Sequence, residues 1–284
     1  YDNTAKIKKY NNESGLLSDY YVGQKLGEIW GYVSDGYYTI DDFVLDDAKR
    51  DVWTLKEGVT SIQGVKVQPG DEKFKDFDGD GVISSGAGTV SDPGDRKIIG
   101  NNRARFQFGA NIGATYKGFS LDVRLQGVGK RDYWLSGSSI FPFAGSSSAD
   151  AVFQPLFSNQ TDYWTAKSYD PENSDYMVAK NPNAKLFRIY DQGNNVGSNT
   201  RVSDKYLQNA AYLRVKNITL GYTLPRHWVK HVLMESARIY VSVENLGTIS
   251  NLPKGYDPEG NTNNAIVWDY PYYRTISIGA NITF

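Results

Sequence analysis

The chain ends TISIGANITF, Thr275 to Phe284, and this stretch alternates without a break. Ile276, Ile278, Ala280, Ile282 and Phe284 fall on one parity, and Thr275, Ser277, Gly279, Asn281 and Thr283 on the other. A period of two marks a strand with two unlike faces. Here one face is greasy, the other carries small polar groups, and the final residue is aromatic.

Working back from the end, the same pattern recurs. In ARIYVSVENL, Ala237, Ile239, Val241 and Val243 oppose Arg238, Tyr240, Ser242 and Glu244. In FSLDVRLQGV, Phe119, Leu121, Val123 and Leu125 oppose Ser120, Asp122, Arg124 and Gln126. In ARFQFGANIGATY, Phe106, Phe108, Ala110, Ile112, Ala114 and Tyr116 share the apolar row. Only Lys117-Gly118 separates these last two segments, which reads as a tight hairpin with Gly at positive φ. YLRVKNITLGYTLP breaks the rule. Its Ile218, Leu220 and Tyr222 share a parity with Arg214 and Lys216, so a bulge or partial exposure is expected there.

The polar rows hold charge in mid-strand, which suits water on that side. A strand of about eleven residues at ~3.3 Å per residue, tilted by ~45°, rises about 25 Å, the height of an outer-membrane apolar band. The connections alternate in size. Residues 117–118 and 225–235 are short, whereas 131–209 and 247–272 are long and rich in Gly, Ser, Asn, Asp and Pro. That asymmetry is typical of bacterial outer-membrane barrels. The reading is therefore all-β: a transmembrane antiparallel β-barrel portion with long extracellular loops. Residues 1–104 form an extracellular loop region, and 105–284 supply the last five strands. Five strands cannot close a barrel, which takes about eight at least, so the chain is expected to be a C-terminal piece beginning inside a surface loop. It opens on Tyr1 without a signal-peptide core, as a mature protein or a fragment would.

Composition agrees. Aromatics make up 14% of 284 residues, with 21 Tyr against 2 Met, and there are 28 Gly, which favours strands and turns. Mean hydropathy is -0.50, and no apolar run reaches the ~18 residues of a membrane helix. A net charge of -1 leaves no nucleic-acid footprint, and the lack of cysteine removes disulfides, thiolate metal sites and Cys nucleophiles. Both histidines lie in one connector, so a catalytic triad is not expected and the protein reads as no enzyme. GVGKR (127–131) lacks the spacing of a phosphate loop.

The blocks DFDGDGVIS, DRKIIGNN and FQFGANIGATYKGFSLDVRLQGVG, then YLQNAAYLRVKNITLGYTLP, ARIYVSVENL and KGYDPE, resemble in that order the C-terminal barrel of the SusC/RagA family of TonB-dependent outer-membrane transporters. YVGQKLGEIWGYVSDG resembles the family's stretch before the Asp-Gly loop, so the likeness runs from about Val22 to Phe284. It implies a barrel of about 22 strands with a plugged lumen, the plug and the N-terminal strands lying outside this chain. It also implies import of oligosaccharides or peptides across the Gram-negative outer membrane, energised by TonB, under a SusD-like surface lipoprotein. The terminal Phe284 looks like the signal read by the barrel-assembly machinery. An ordinary edge strand would end the same way.

Asp76, Asp78 and Asp80 stand at the first, third and fifth ligand positions of an EF-hand loop, with Gly81 next and the Val82 carbonyl after it. The last position holds Ala87 instead of Glu. The family pattern places an Asp just before Arg, and here Asp95 precedes Arg96 after an insertion, so Asp95 supplies the missing ligand if the insert loops out. Ca²⁺ bound there would stiffen a surface loop; a metal-free Asp/Gly turn is the alternative. His227, His231 and Glu235 would share one face of a helix, a metal-ligand spacing, although an interfacial turn accounts for the same residues. Tyr133, Trp134, Trp268, Tyr270, Tyr272 and Tyr273 lie near the outer strand ends, with Tyr163 and Trp164 inside the long loop. They suit stacking on sugars, and equally an interfacial girdle or loop packing, which is the favoured reading. TIDDFVLDDAKRDVW (39–53) reads as a short surface helix whose paired acids face solvent. A soluble, secreted, calcium-stabilised carbohydrate-binding β-protein is the rival reading. A cell-surface hydrolase is a third, for which no catalytic set is present.

Overall fold

The computed structural model describes residues 5–11, 14–45, 53–137, 140–143, 156–167, 178–190, 194–260 and 272–284. Its strands are, in order, β1 (Glu28–Gly31), β2 (Ser34–Tyr37), β3 (Phe43–Leu45), β4 (Trp53–Leu55), β5 (Ser61–Ile62), β6 (Glu72–Phe74), β7 (Val82–Ile83), β8 (Lys97–Asn101), β9 (Arg105–Tyr116), β10 (Phe119–Lys130), β11 (Asp132–Trp134), β12 (Leu207–Asn209), β13 (Tyr212–Thr223), β14 (Ser236–Ser250) and β15 (Thr275–Thr283). No helix among the described residues is long and apolar enough to cross a membrane.

The chain divides into two units. One comprises residues 103–133 and 208–284, with the first four residues. It is an antiparallel sheet in the order β15-β14-β13-β10-β9, and its strands run 9 to 15 residues, well beyond the usual ~5–6. The 117–118 turn has both residues at positive φ, Lys117 at 46° and Gly118 at 89°. That is the type I′ turn matching the right-handed twist of its strands.

The bulge expected in the third long strand is present. Arg124 pairs with Asn217 but Leu125 pairs with Val215, so Lys216 is the extra residue. Across the other edge Asn217 faces Glu244 while Val215 faces Gly247, and Asn245 takes a positive φ. Below the bulge Leu121 and Val123 face Leu220 and Ile218; above it Gln126 faces Arg214. One inserted residue reverses every later side chain. Arg214 thereby joins the polar row, which resolves the parity conflict in the sequence.

Among the described residues the apolar rows meet no second layer. Phe106, Phe108, Ile112, Leu121, Leu220, Ile239, Val241, Ile276, Ile278 and Ile282 are all exposed. The polar face is instead cross-linked: the Arg124 guanidinium donates to Asn111 Oδ1 (3.2 Å), Arg238 to Ser120 Oγ (2.8 Å), and Asn217 Nδ2 to Ser242 Oγ (2.9 Å).

The second unit joins residues 5–102 to 134–207. Its short strands pair as β1–β8, β2–β6 and β3–β4, all antiparallel, with β5–β7 parallel. Tyr32, Tyr38, Phe43, Ile62, Val67, Phe74 and Ile83 form its core, with Ile40, Leu55, Val59 and Val65 packed around them. A smaller cluster stacks Trp134, Phe141, Phe187 and Tyr206, with ring centroids 5.1 to 6.2 Å apart. In the described part of 39–53 the expected surface helix is replaced by other structure. Ile40–Asp42 is a single 3-10 turn, and Phe43–Leu45 pairs with Trp53–Leu55 as a hairpin. The acid-rich 46–52 segment lies outside the described residues. Burial of Phe43 in the core outweighs the helical spacing of Ile40, Phe43 and Val44.

Candidate functional site

Two polar constellations stand out, one in each unit. In the 5–102 unit, DFDGDG folds as nested Asx turns. Asp76 accepts the N–H groups of Gly79 (2.6 Å) and Gly81 (2.8 Å), Asp78 that of Asp80, and Asp80 that of Val82. The Gly79 and then the Gly81 N–H hold the Asp76 carboxyl below the usual carboxylate range. The 85–94 insert loops out, with Asp92 accepting the Ala87 N–H. Asp95 is returned beneath the loop, where its buried carboxylate takes the N–H groups of Phe77 and Ser84, each at 2.8 Å.

Asp76, Asp78 and Asp95 each offer one oxygen within 4.8 Å of the others, and no other such triplet occurs among the described residues. Three hard oxygen donors in that space fit a divalent cation such as Ca²⁺. Asp80 lies outside the triplet. His227, His231 and Glu235 are not brought together: Arg226–Val229 is a single helical turn, followed by a 3-10 turn at Lys230–Val232.

In the sheet unit, Arg214 anchors the segment after β14 onto the polar face. Its Nη2 donates to Asp257 Oδ1 (2.6 Å), Nη1 to Glu259 Oε2 (2.7 Å) and Nε to Thr248 Oγ1 (2.7 Å). Lys216 Nζ donates to the same Glu259 oxygen (2.6 Å) and to Tyr272 Oη (3.0 Å), and the Tyr272 ring lies 4.1 Å from the Arg214 guanidinium. Beside this network opens a cleft of about 520 Å³, lined by Gln107, Gly109, Gln126, Arg131, Tyr212 and Glu259. Carboxamides, a phenol, a guanidinium and a carboxylate over glycine backbone can bind a neutral polar ligand. The cleft contains no nucleophile–base pair.

The aromatic candidates divide. Tyr133 is buried, with its hydroxyl donating to the Pro258 carbonyl (3.2 Å) and Arg131 over its ring at 4.3 Å. Trp134 packs on Phe141, and Trp164 is buried with Gly70 against its ring and Arg188 above it. Tyr163 is half-buried and bridges to Leu186. These four rings pack loops in this structure. Tyr272 and Tyr273 are exposed, and Trp268 and Tyr270 lie outside the described residues. Phe284 is exposed just beyond β15.

The sequence reading missed the Arg214 network and Glu72. The only signal for the first was Arg and Lys on the wrong parity. Glu72 is fully buried, with Lys205, Ser203 and Ser34 the polar groups nearest its carboxyl. Burial pushes its pKa up to about 8, and the Lys205 ammonium offsets this in part.

No protein-family model matches the chain. TonB-dependent receptor P3 of Formosa agariphila is 28% identical over 92% of this chain and 22% of its own length. SusC of Bacteroides thetaiotaomicron, also a TonB-dependent receptor, is 26% identical over 75% of this chain and 18% of its own length. Among solved structures, the RagAB peptide importer in its closed-closed state superposes with a TM-score of 0.53 at 19% identity, covering 93% of this chain and 24% of that one. The structure of the RagAB peptide transporter gives 0.51 at the same identity. The chain thus spans about a fifth of the length of the curated relatives it matches. By sequence and by fold it is similar to a part of the SusC/RagA kind of TonB-dependent outer-membrane transporter.

Proposed function

We propose that this chain is barrel wall and extracellular-loop surface of a TonB-dependent nutrient importer in the outer membrane. The observation that carries the reading is the sheet unit: long strands with an exposed apolar row on one face and a cross-linked polar row on the other. In water such a face is a liability; in lipid it is the required exterior. The open edges of β9 and β15 imply further strands, since unpaired edges are not tolerated in hydrocarbon. A soluble carbohydrate-binding protein would need to cover this face.

In the intact transporter the polar row lines the lumen and the cleft faces the passing ligand, an oligosaccharide or a peptide. A SusD-like lipoprotein lids the mouth, and TonB acts through a segment outside this chain. Ca²⁺ held by Asp76, Asp78 and Asp95 stiffens the surface unit.

This stretch has no cysteine, so once any cysteine elsewhere in the intact protein is replaced by serine, single introduced cysteines report topology. On intact cells, Asp257→Cys or Ser158→Cys should react with an impermeant maleimide, and Lys117→Cys should not. Equal labelling of both ends, or a protein monodisperse in buffer without detergent, would sink the membrane reading. For the metal, a chelator should lower the melting temperature of wild type and leave Asp76→Asn/Asp78→Asn unmoved. An unchanged wild type would assign the loop to a metal-free turn.

A further inference from the structure

One end of the sheet gathers exposed apolar groups and cations, of which Lys117 lies over the Tyr116 ring at 5.2 Å. The 117–118 turn and the 225–235 connector adjoin: the Thr223 N–H donates to the Gly118 carbonyl (2.8 Å), and the Glu235 N–H to the Thr283 carbonyl (2.7 Å). Around this end Tyr116, Phe119, Trp228, Val232, Leu233 and Phe284 are exposed, Leu233 at 88% and Phe284 at 82%. Phe284 continues the apolar row of β15, and the Glu235–Thr283 hydrogen bond sets the end of the connector, with its exposed Trp228, Val232 and Leu233, beside it. Interleaved with them are Lys117, Arg226 and Lys230, all exposed, with Glu235 the sole carboxylate of the two turns. None of the three cations pairs with a carboxylate among the described residues. The long side chains of Lys and Arg can lay their stems along apolar surface while their heads reach a polar layer.

We propose that this end of the sheet binds anionic phospholipid headgroups. Lys117, Arg226 and Lys230 take the lipid phosphates, and Trp228, Val232 and Leu233 sit at the top of the acyl region. Charge complementarity and continuity with the exposed apolar row select this occupant: a soluble protein partner would match the cations or the apolar groups, but would not extend along the strands. The inference rests on the membrane reading above.

The test uses the intact outer-membrane protein in nanodiscs of zwitterionic lipid, with or without about a third anionic phospholipid. Retained lipid is read by native mass spectrometry, and the depth of Trp228 by quenching with brominated lipid, against Trp228→Phe. A cation at such a surface is worth about fivefold in lipid affinity. Lys117→Gln/Arg226→Gln/Lys230→Gln should therefore lose anionic-lipid retention at least tenfold while Trp228 stays quenched. Lys130→Gln, on the β10 strand end away from the turn, should lose nothing. A triple variant retaining as much anionic lipid as wild type overturns the headgroup site and leaves the barrel intact. A Trp228 that bromine does not quench in wild type overturns the membrane reading itself.

Discussion

Glu72 shows what one residue holds in reserve. Its carboxyl sits on β6, fully buried, with Lys205, Ser203 and Ser34 around it. The folded pKa lies above the unfolded value near 4.5, so the stability tied to its proton is complete below that pH. It is lost as pH rises toward about 8, by at most roughly tenfold in the folded-to-unfolded ratio per pH unit. The 5–102/134–207 unit should thus melt at lower temperature at pH 8 than at pH 5, and Glu72→Gln should flatten the profile; parallel profiles would show that the carboxyl finds solvent. Its neighbour behaves differently. Asp71 Oδ1 accepts from Tyr190 Oη and Asn199 Nδ2, both at 2.7 Å, and Asn199 Oδ1 takes the Glu72 N–H at 2.6 Å. Asn199→Ala strands buried groups and should cost about 1–3 kcal/mol in chemical denaturation. Neither role was legible in GDEKF, which reads as an ordinary charged surface run. Burial there depends on residues more than a hundred positions away, and no local pattern encodes that.

At the level of elements the sequence was far more explicit. Period-two alternation persists where each face of a strand meets a single environment, so β9, β10, β14 and β15 could be read directly. The Lys216 bulge was visible as a parity clash. The same logic sets the cost of change. On the proposed membrane reading, Val241→Lys, on the apolar row, should destabilise the protein by about 2–4 kcal/mol, whereas Ser242→Lys on the polar row should be mild; urea titration in detergent compares them, and equal losses would mean both faces are wet. Gly118 at φ 89° makes Gly118→Val costly by about 1–2 kcal/mol, read as a lower refolding yield. Arg214→Met should free the 252–260 segment, since Asp257 and Glu259 lose their charged partner, and amide exchange there should rise severalfold; unchanged protection would reduce the ion pairs to decoration. The hairpin mistaken for a helix marks the limit of this legibility. Short segments in the loop unit answer to a shared core, so their own periodicity carries little weight.

At the scale of the whole molecule, the two units differ in what stabilises them. The sheet unit hides almost none of its apolar row within itself, and its coherence comes from backbone pairing and the cross-linked polar face. The other unit has an aromatic core and buried charges. It is assembled from two separate stretches of sequence with Arg103–Tyr133 between them. Contacts such as Asp71 with Asn199 cannot exist until the second stretch has emerged. A unit built this way has a chronology: β9 and β10 are already made while its first half waits, incomplete, for residues 134–207 to be synthesised.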